Sequence, residues 1–252
     1  MPPLVLHTVV AKEVADRLRQ PVLEEGRGNF YLGATAPDIR VITRWERERT
    51  HFFDLANFDE QSGKVGLFKA YPRLSRPSEL KGPTVAFVSG YITHLVMDES
   101  WINTVYRPCF GERSPLGGGL RANIMDRALQ FSLDRDRRSD RALMAGVLEE
   151  VARCDLALDV GIIDGETLHR WRDVIMDLIS HPPDWERFRY LAGRHLREAG
   201  LESPEAFQEF VRSLPELVEE TLRYLTPERV GAFKEESLRG SLEAVREYLE
   251  CA

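Results

Sequence analysis

The stretch "PTVAFVSGYITHLVM", residues 83–97, decides the fold. It is almost wholly apolar, yet shorter than the roughly 20 residues a membrane span needs, and it carries a histidine. Pro83 suits the first turn of a helix. A helix that is apolar on every face is buried on every face. Residues 83–105 are therefore expected to form the central helix of a bundle.

The flanking sequence agrees. Upstream, Leu4, Val5, Val9, Val14 and Leu18 fall near one stripe of a helix over residues 4–19. Residues 45–57 carry Phe52, Phe53 and Leu55 in a charged, helix-like setting. Downstream, helices are expected at about 120–134, 138–159, 164–180, 184–199, 204–224 and 227–250. Their punctuation is Asp164-Gly165, "HPPD" at 181–184, Ser203-Pro204 and Thr226-Pro227. Two breaks interrupt the pattern: "DEQSGKVGLFKAYPRLSRPSEL" in residues 59–82, a long connection with room for a short helix and of a length that suggests a lid or binding loop, and "RPCFGERSPLGGGL" at 107–120, a flexible joint. No alternating strand run appears. The expected class is all-α, one multi-helix domain over 1–252, with helices 120–252 completing the bundle begun by residues 1–105.

Composition excludes some functions. A net charge of −7 argues against a general nucleic-acid binder, which would show a basic face. Cys109, Cys154 and Cys251 are too few and too widely spaced for a disulfide framework or a metal knuckle. The start, "MPPLVLHTVVAKEVADRL", lacks the basic region and cleavage site of a signal peptide. These features lead us to expect a cytoplasmic protein without a transmembrane segment.

The chemistry-bearing residues cluster in the first hundred positions. His94 and Asp98 lie four apart on the most hydrophobic helix, so both side chains share one face, one turn apart. A carboxylate there must be paired or bound to a metal, because a lone buried charge is costly. A His94–Asp98 hydrogen bond would suffice; so would a shared metal ion. His7 and His51 each lie on an expected helix with apolar neighbours. Asp38 sits in "GATAPD", residues 33–38, a tight turn between helices where an aspartate commonly caps or turns.

In order and spacing, "LH" (His7), "GATAPD" (Asp38), "THFF" (His51) and "FVSGYITHLVMD" (His94, Asp98) resemble the zinc-dependent phospholipase C family and the related S1/P1-type nucleases, over about residues 1–105. The resemblance implies that His7, Asp38, His51, His94 and Asp98 are metal ligands and that Asp38 also positions or deprotonates the attacking water. It further implies hydrolysis of a phosphate ester, either a small phosphodiester or a phospholipid head group. The family's further histidine after the H-x-x-x-D aspartate is missing from "ESWINTVYRP". Its later H-x-x-x-E pair has only His169 and Asp173 as a counterpart, on a charged helix. One or two divalent ions are therefore expected, with zinc the best suited and iron or manganese compatible with the same donors.

Other features have two readings. Arg40, Arg44, Arg47 and Arg49 either grip a phosphate or form a solvated face with Glu46 and Glu48. Phe52, Phe53, Tyr91 and Trp101 either line a pocket or pack the core. "GERSPLGGGL" is either an anion nest or a connector. Two alternative functions stand beside the hydrolase: an oxygen-activating di-iron enzyme, and a non-catalytic helical binding protein with a residual metal site.

Overall fold

The structure is a computed structural model and describes residues 3–54, 61–181, 196–201 and 203–250. Every regular element among the described residues is helical. The chain opens with α1 (Leu4–Leu18), α2 (Pro21–Glu25) and α3 (Arg27–Thr35). A 3-10 turn, Ala36–Ile39, leads from α3 into α4 (Arg40–Thr43). Next come the single turn α5 (Glu48–His51), then α6 (Gly63–Ala70) and α7 (Gly82–Trp101). A π-helical turn, Ile102–Tyr106, carries α7 into α8 (Arg107–Cys109). The remaining helices are α9 (Gly119–Arg138), α10 (Arg141–Ala152), α11 (Gly165–Ser180), α12 (Pro204–Tyr224) and α13 (Pro227–Glu250).

Helix α7 is the axis of the fold, as its all-round apolarity requires. It packs chiefly against α3 and α13, and also against α1, α2 and α6. Phe87 and Tyr91 on one side, and Ile92 and Met97 on others, are all fully buried. Each such side chain contributes about 1.5–3 kcal/mol by leaving water.

The α3–α7 contact is unusually close because glycine faces backbone on both sides. A Cβ at Gly33 would lie 2.0 Å from the Phe87 carbonyl oxygen, and one at Gly90 would lie 2.0 Å from that of Phe30. Both distances are impossible for a real Cβ, so only glycine permits this crossing. It brings the C-terminal end of α3 beside the middle of α7, where His94 sits. Two longer tethers fix α3 from its other side. Asn29 exchanges hydrogen bonds with the backbone of Asp155, and the Trp171 indole donates to Thr35 Oγ1 at 3.1 Å.

The C-terminal helices begin where the sequence punctuation places them. Ser203 accepts from the Ala206 amide and starts α12, while Pro227 opens α13. α12 lies on α9, with Phe131, Phe207 and Leu214 in a satellite core. No described helix is long and apolar enough to cross a membrane.

Three local expectations change, and a fourth falls mostly on residues outside those described. The helix expected over 45–57 is reduced, among its described residues, to Glu48–His51, because Phe52 takes a left-handed conformation (φ 55°) and ends it. Leu55 lies outside the described residues. The segment from residue 61 to 82 carries the short helix it had room for, α6, but it is no loose lid: with two 3-10 turns it buries Leu67 and Leu74 in the main core. The helix expected over 138–159 stops at Ala152, where Asp155 turns the chain by accepting from the Ala157 amide. Most of the helix expected at 184–199 lies outside the described residues, and Leu196–Glu198 are helical. Tyr91 and Trp101 are core residues, and Gly117, Gly118 and Gly119 all take positive φ in the joint before α9.

Candidate metal centre

Five residues from four segments converge at the α3–α7 crossing. His7 comes from the first turns of α1, Asp38 from the 3-10 turn, His51 from the end of α5, and His94 and Asp98 from α7. The three imidazoles are shut off from solvent. His7 Nε2 is 3.4 Å from Asp98 Oδ1; His51 Nε2 is 3.4 Å from Asp98 Oδ2 and 3.5 Å from Asp38 Oδ1; His94 Nε2 is 3.7 Å from Asp98 Oδ2. The bland solution for α7, a His94–Asp98 hydrogen bond, is not made. Nε2 of all three histidines and Asp98 Oδ1 are buried without any hydrogen-bond partner. Four orphaned polar atoms in one place are costly unless something else satisfies them.

For His94 and His51 the other ring nitrogen explains why Nε2 is free, whereas Nδ1 of His7 has no hydrogen-bond partner either. His94 Nδ1 lies 2.8 Å from the Ala34 carbonyl oxygen, which can only accept, so Nδ1 carries the proton and Nε2 presents a lone pair. The sequence prepares that acceptor. Ala34 is in the last turn of α3, and Pro37 has no N–H to return to the carbonyl three residues back. His51 Nδ1 is 3.0 Å from Thr50 Oγ1, whose hydroxyl donates in turn to the Arg47 carbonyl. His51 Nδ1 is thereby a donor too, and its Nε2 also faces the cluster. Tyr91 donates to the Thr50 carbonyl and steadies this arm. An outer contact that fixes tautomer and ring orientation is the usual support of a metal-binding imidazole.

Two overlapping triads have ligand atoms within 4.8 Å of one another: His7, His94 and Asp98, and Asp38, His51 and His94. Their donor set of imidazole nitrogen and carboxylate oxygen fits a divalent transition metal. All five candidate ligands expected from the sequence are thus brought together. His169 and Asp173 are not part of the cluster; both are exposed on α11, and Asp173 pairs with Arg172 at 2.7 Å.

One residue of the site escaped the sequence reading. Arg47 is buried, with its Nη2 3.0 Å from Asp98 Oδ2. It is not a solvated residue, and its Nε and Nη1 have no hydrogen-bond partner. The others of its run lie outside the cluster: Arg44 and Arg49 are exposed, Arg49 stacks over Trp45 at 3.6 Å, and Arg40 bonds the Trp45 carbonyl. The available signal was spacing. Arg47 precedes His51 by four residues, so a helical turn that buries one tends to bury both.

The electrostatics are consistent with a ligand set held ready. Burial depresses His94 to about 3, helped by the adjacent His7, so its ring is neutral at ordinary pH. Burial likewise lowers His51, as does the Arg47 charge, against the pull of the carboxylates. Burial would raise Asp98, but His94, His7 and the Arg47 guanidinium outweigh it and hold the carboxyl well below its usual range. At Asp38 burial is similarly outweighed by the imidazoles of His51 and His94, and the carboxyl stays ionised. Neutral imidazoles and ionised carboxylates are the forms that ligate metals. Asp38 alone reaches solvent appreciably, with its side chain 15% exposed.

Comparison of the chain with protein-family models, with curated proteins and with solved structures finds no match in any of the three.

Proposed function

We propose that this protein is a metal-dependent hydrolase acting on a phosphate ester. The observation that carries the reading is the convergence of three unpartnered Nε2 atoms on two ionised carboxylates. The resemblance of the same five residues to the zinc-dependent phospholipase C pattern supports the substrate class. His7, His51, His94, Asp98 and Asp38 would hold the ion, zinc most readily. When bound, a divalent cation supplies a water acidic enough to attack at neutral pH and positive charge for the developing oxyanion.

The chain's own residues divide the remaining work. Asp38, at the rim, accepts a hydrogen bond from the incoming water and orients it. Its weakened basicity suits passing a proton on rather than keeping it. Ala34 and Thr50 hold His94 and His51 in fixed orientations. Arg47 keeps Asp98 ionised. The apolar walls of α3 and α7 exclude bulk water, which strengthens each of these interactions.

The test is hydrolysis of bis(4-nitrophenyl) phosphate by protein loaded with zinc or manganese. Turnover by wild type and its loss in His94→Ala and Asp38→Ala is expected. A zinc content near zero in wild-type protein handled without chelators sinks the reading.

One observation favours a second reading, a helical binding protein with a structural ion. The cluster is closed except at Asp38, and structural zinc sites are closed where catalytic ones keep an open position. In that case zinc is bound and raises the melting temperature, while no phosphate ester is hydrolysed.

A further inference from the structure

We infer that the centre holds a single divalent ion, because Arg47 donates to the Asp98 oxygen on which a second would depend. This rests on the metal-binding reading above and specifies it. A binuclear arrangement would require the two triads to fill independently, yet they share His94. Its Nδ1 is committed to Ala34, so one lone pair on Nε2 remains, and it can serve only one ion. The other ion would then depend on Asp98 to bridge, with Oδ1 turned toward His7 and Oδ2 toward His51. The distances suit such a bridge: 3.4 Å on each side. Arg47 competes with it. Its Nη2 donates to Oδ2 at 3.0 Å and draws electron density from that oxygen, whereas Oδ1 has no partner and stays the better ligand atom.

Formal charge leads to the same result. The charged side chains of the cluster are two carboxylates and one guanidinium. One divalent ion brings this set to a single positive charge. A second ion beside Arg47 would leave three positive charges in an enclosed site, which burial strongly disfavours. Without Arg47, two ions against two carboxylates leave only two. Arg47 is thus a positioning residue that sets metal number through Asp98.

The experiment is equilibrium dialysis against zinc followed by elemental analysis of wild type, Arg47→Met, Arg47→Gln and Arg47→Lys, with circular dichroism to confirm folding. We expect one ion per chain in wild type and in Arg47→Lys, and two in the neutral variants. Zinc should also raise the melting temperature more in Arg47→Met than in wild type. Two ions in wild type overturn the inference, as does a folded Arg47→Met or Arg47→Gln that still takes one. Cobalt-substituted wild type gives a reading independent of the variants: an uncoupled paramagnetic signal is expected, and a magnetically coupled pair overturns the inference. Zero ions in wild type is a distinct result, which removes the metal-binding reading itself.

Discussion

The imidazoles of His7 and His94 lie face to face, with centroids 3.7 Å apart and planes within 9°. Two positive rings at that distance would repel by about 4 kcal/mol at the effective dielectric of a protein. Burial and this neighbour together leave His94 neutral, and the Ala34 carbonyl selects the tautomer with hydrogen on Nδ1. Long-range proton–nitrogen NMR of metal-free protein at pH 6 should therefore show His94 as the neutral Nδ1–H form. Adding zinc should shift its Nε2 resonance. A protonated His94 at that pH would contradict the arrangement.

Asp98→Asn removes the charge that faces Arg47 and leaves a guanidinium buried without a counter-ion. Breaking a buried pair in this way costs about 3–5 kcal/mol. Denaturant unfolding of chelated protein measures it. Because the cost comes from the stranded partner, Asp98→Asn combined with Arg47→Met should recover a large part of the loss. Strictly additive losses would show that the two side chains do not depend on each other.

The glycine crossing gives a prediction with an internal control. A methyl at Gly33 or Gly90 meets a carbonyl oxygen at 2.0 Å, so helix must move away from helix. Overpacking of this kind costs about 1–3 kcal/mol, and it should also weaken zinc binding, since His94 and the end of α3 separate. Gly146 on α10 has nothing within 4 Å of its added Cβ. Gly146→Ala should instead stabilise by about 0.5–1 kcal/mol through helix propensity. Equal effects at the three positions would refute the packing argument.

Asp134 on α9 is buried, and burial pushes its carboxyl up to about 6 against the pull of Arg138 and of the Val5 and Leu6 amides at the start of α1. An acid raised in the folded state contributes stability below its unfolded value, near 3.8, and loses it as pH rises through 6. Between those limits the folded protein holds the extra proton. This group therefore lowers unfolding free energy by up to about 1.4 kcal/mol per pH unit as pH increases. Wild type should lose about 3 kcal/mol relative to Asp134→Asn on going from pH 4 to 7, in chelated protein. A constant difference between the two across that range rules out the shift.

Helix existence and the His94–Asp98 pair were legible in the residues themselves, whereas His7, Asp38 and His51 entered the ligand set only through the family resemblance. The run at 83–97 has no polar face to expose, so its burial followed from composition. The Ser203 and Pro227 starts are local chemistry, written in the residues that perform it. His94 and Asp98 share a face by spacing alone. Arg47 was ambiguous because its burial depends on where one short turn, α5, lands against α7, and nothing local encodes that. The early end of α10 was likewise hidden: it depends on Asn29, far away in sequence, grasping the backbone of Asp155. The segment from residue 61 looked like a connection with a short helix for its prolines and glycines, and its packing was hidden because Leu67 and Leu74 are anchored by distant elements.

The acceptor that aims His94 is a main-chain oxygen, and every amino acid carries one. Replacing Ala34 with another small residue would leave the ring's direction untouched. Redirecting it requires the whole of α3 to slide or rotate, which Gly33 and Gly90 forbid. Mutational drift can thus reach the centre only through the helix crossing, and a homologue that keeps both glycines should keep the same imidazole pose whatever fills position 34.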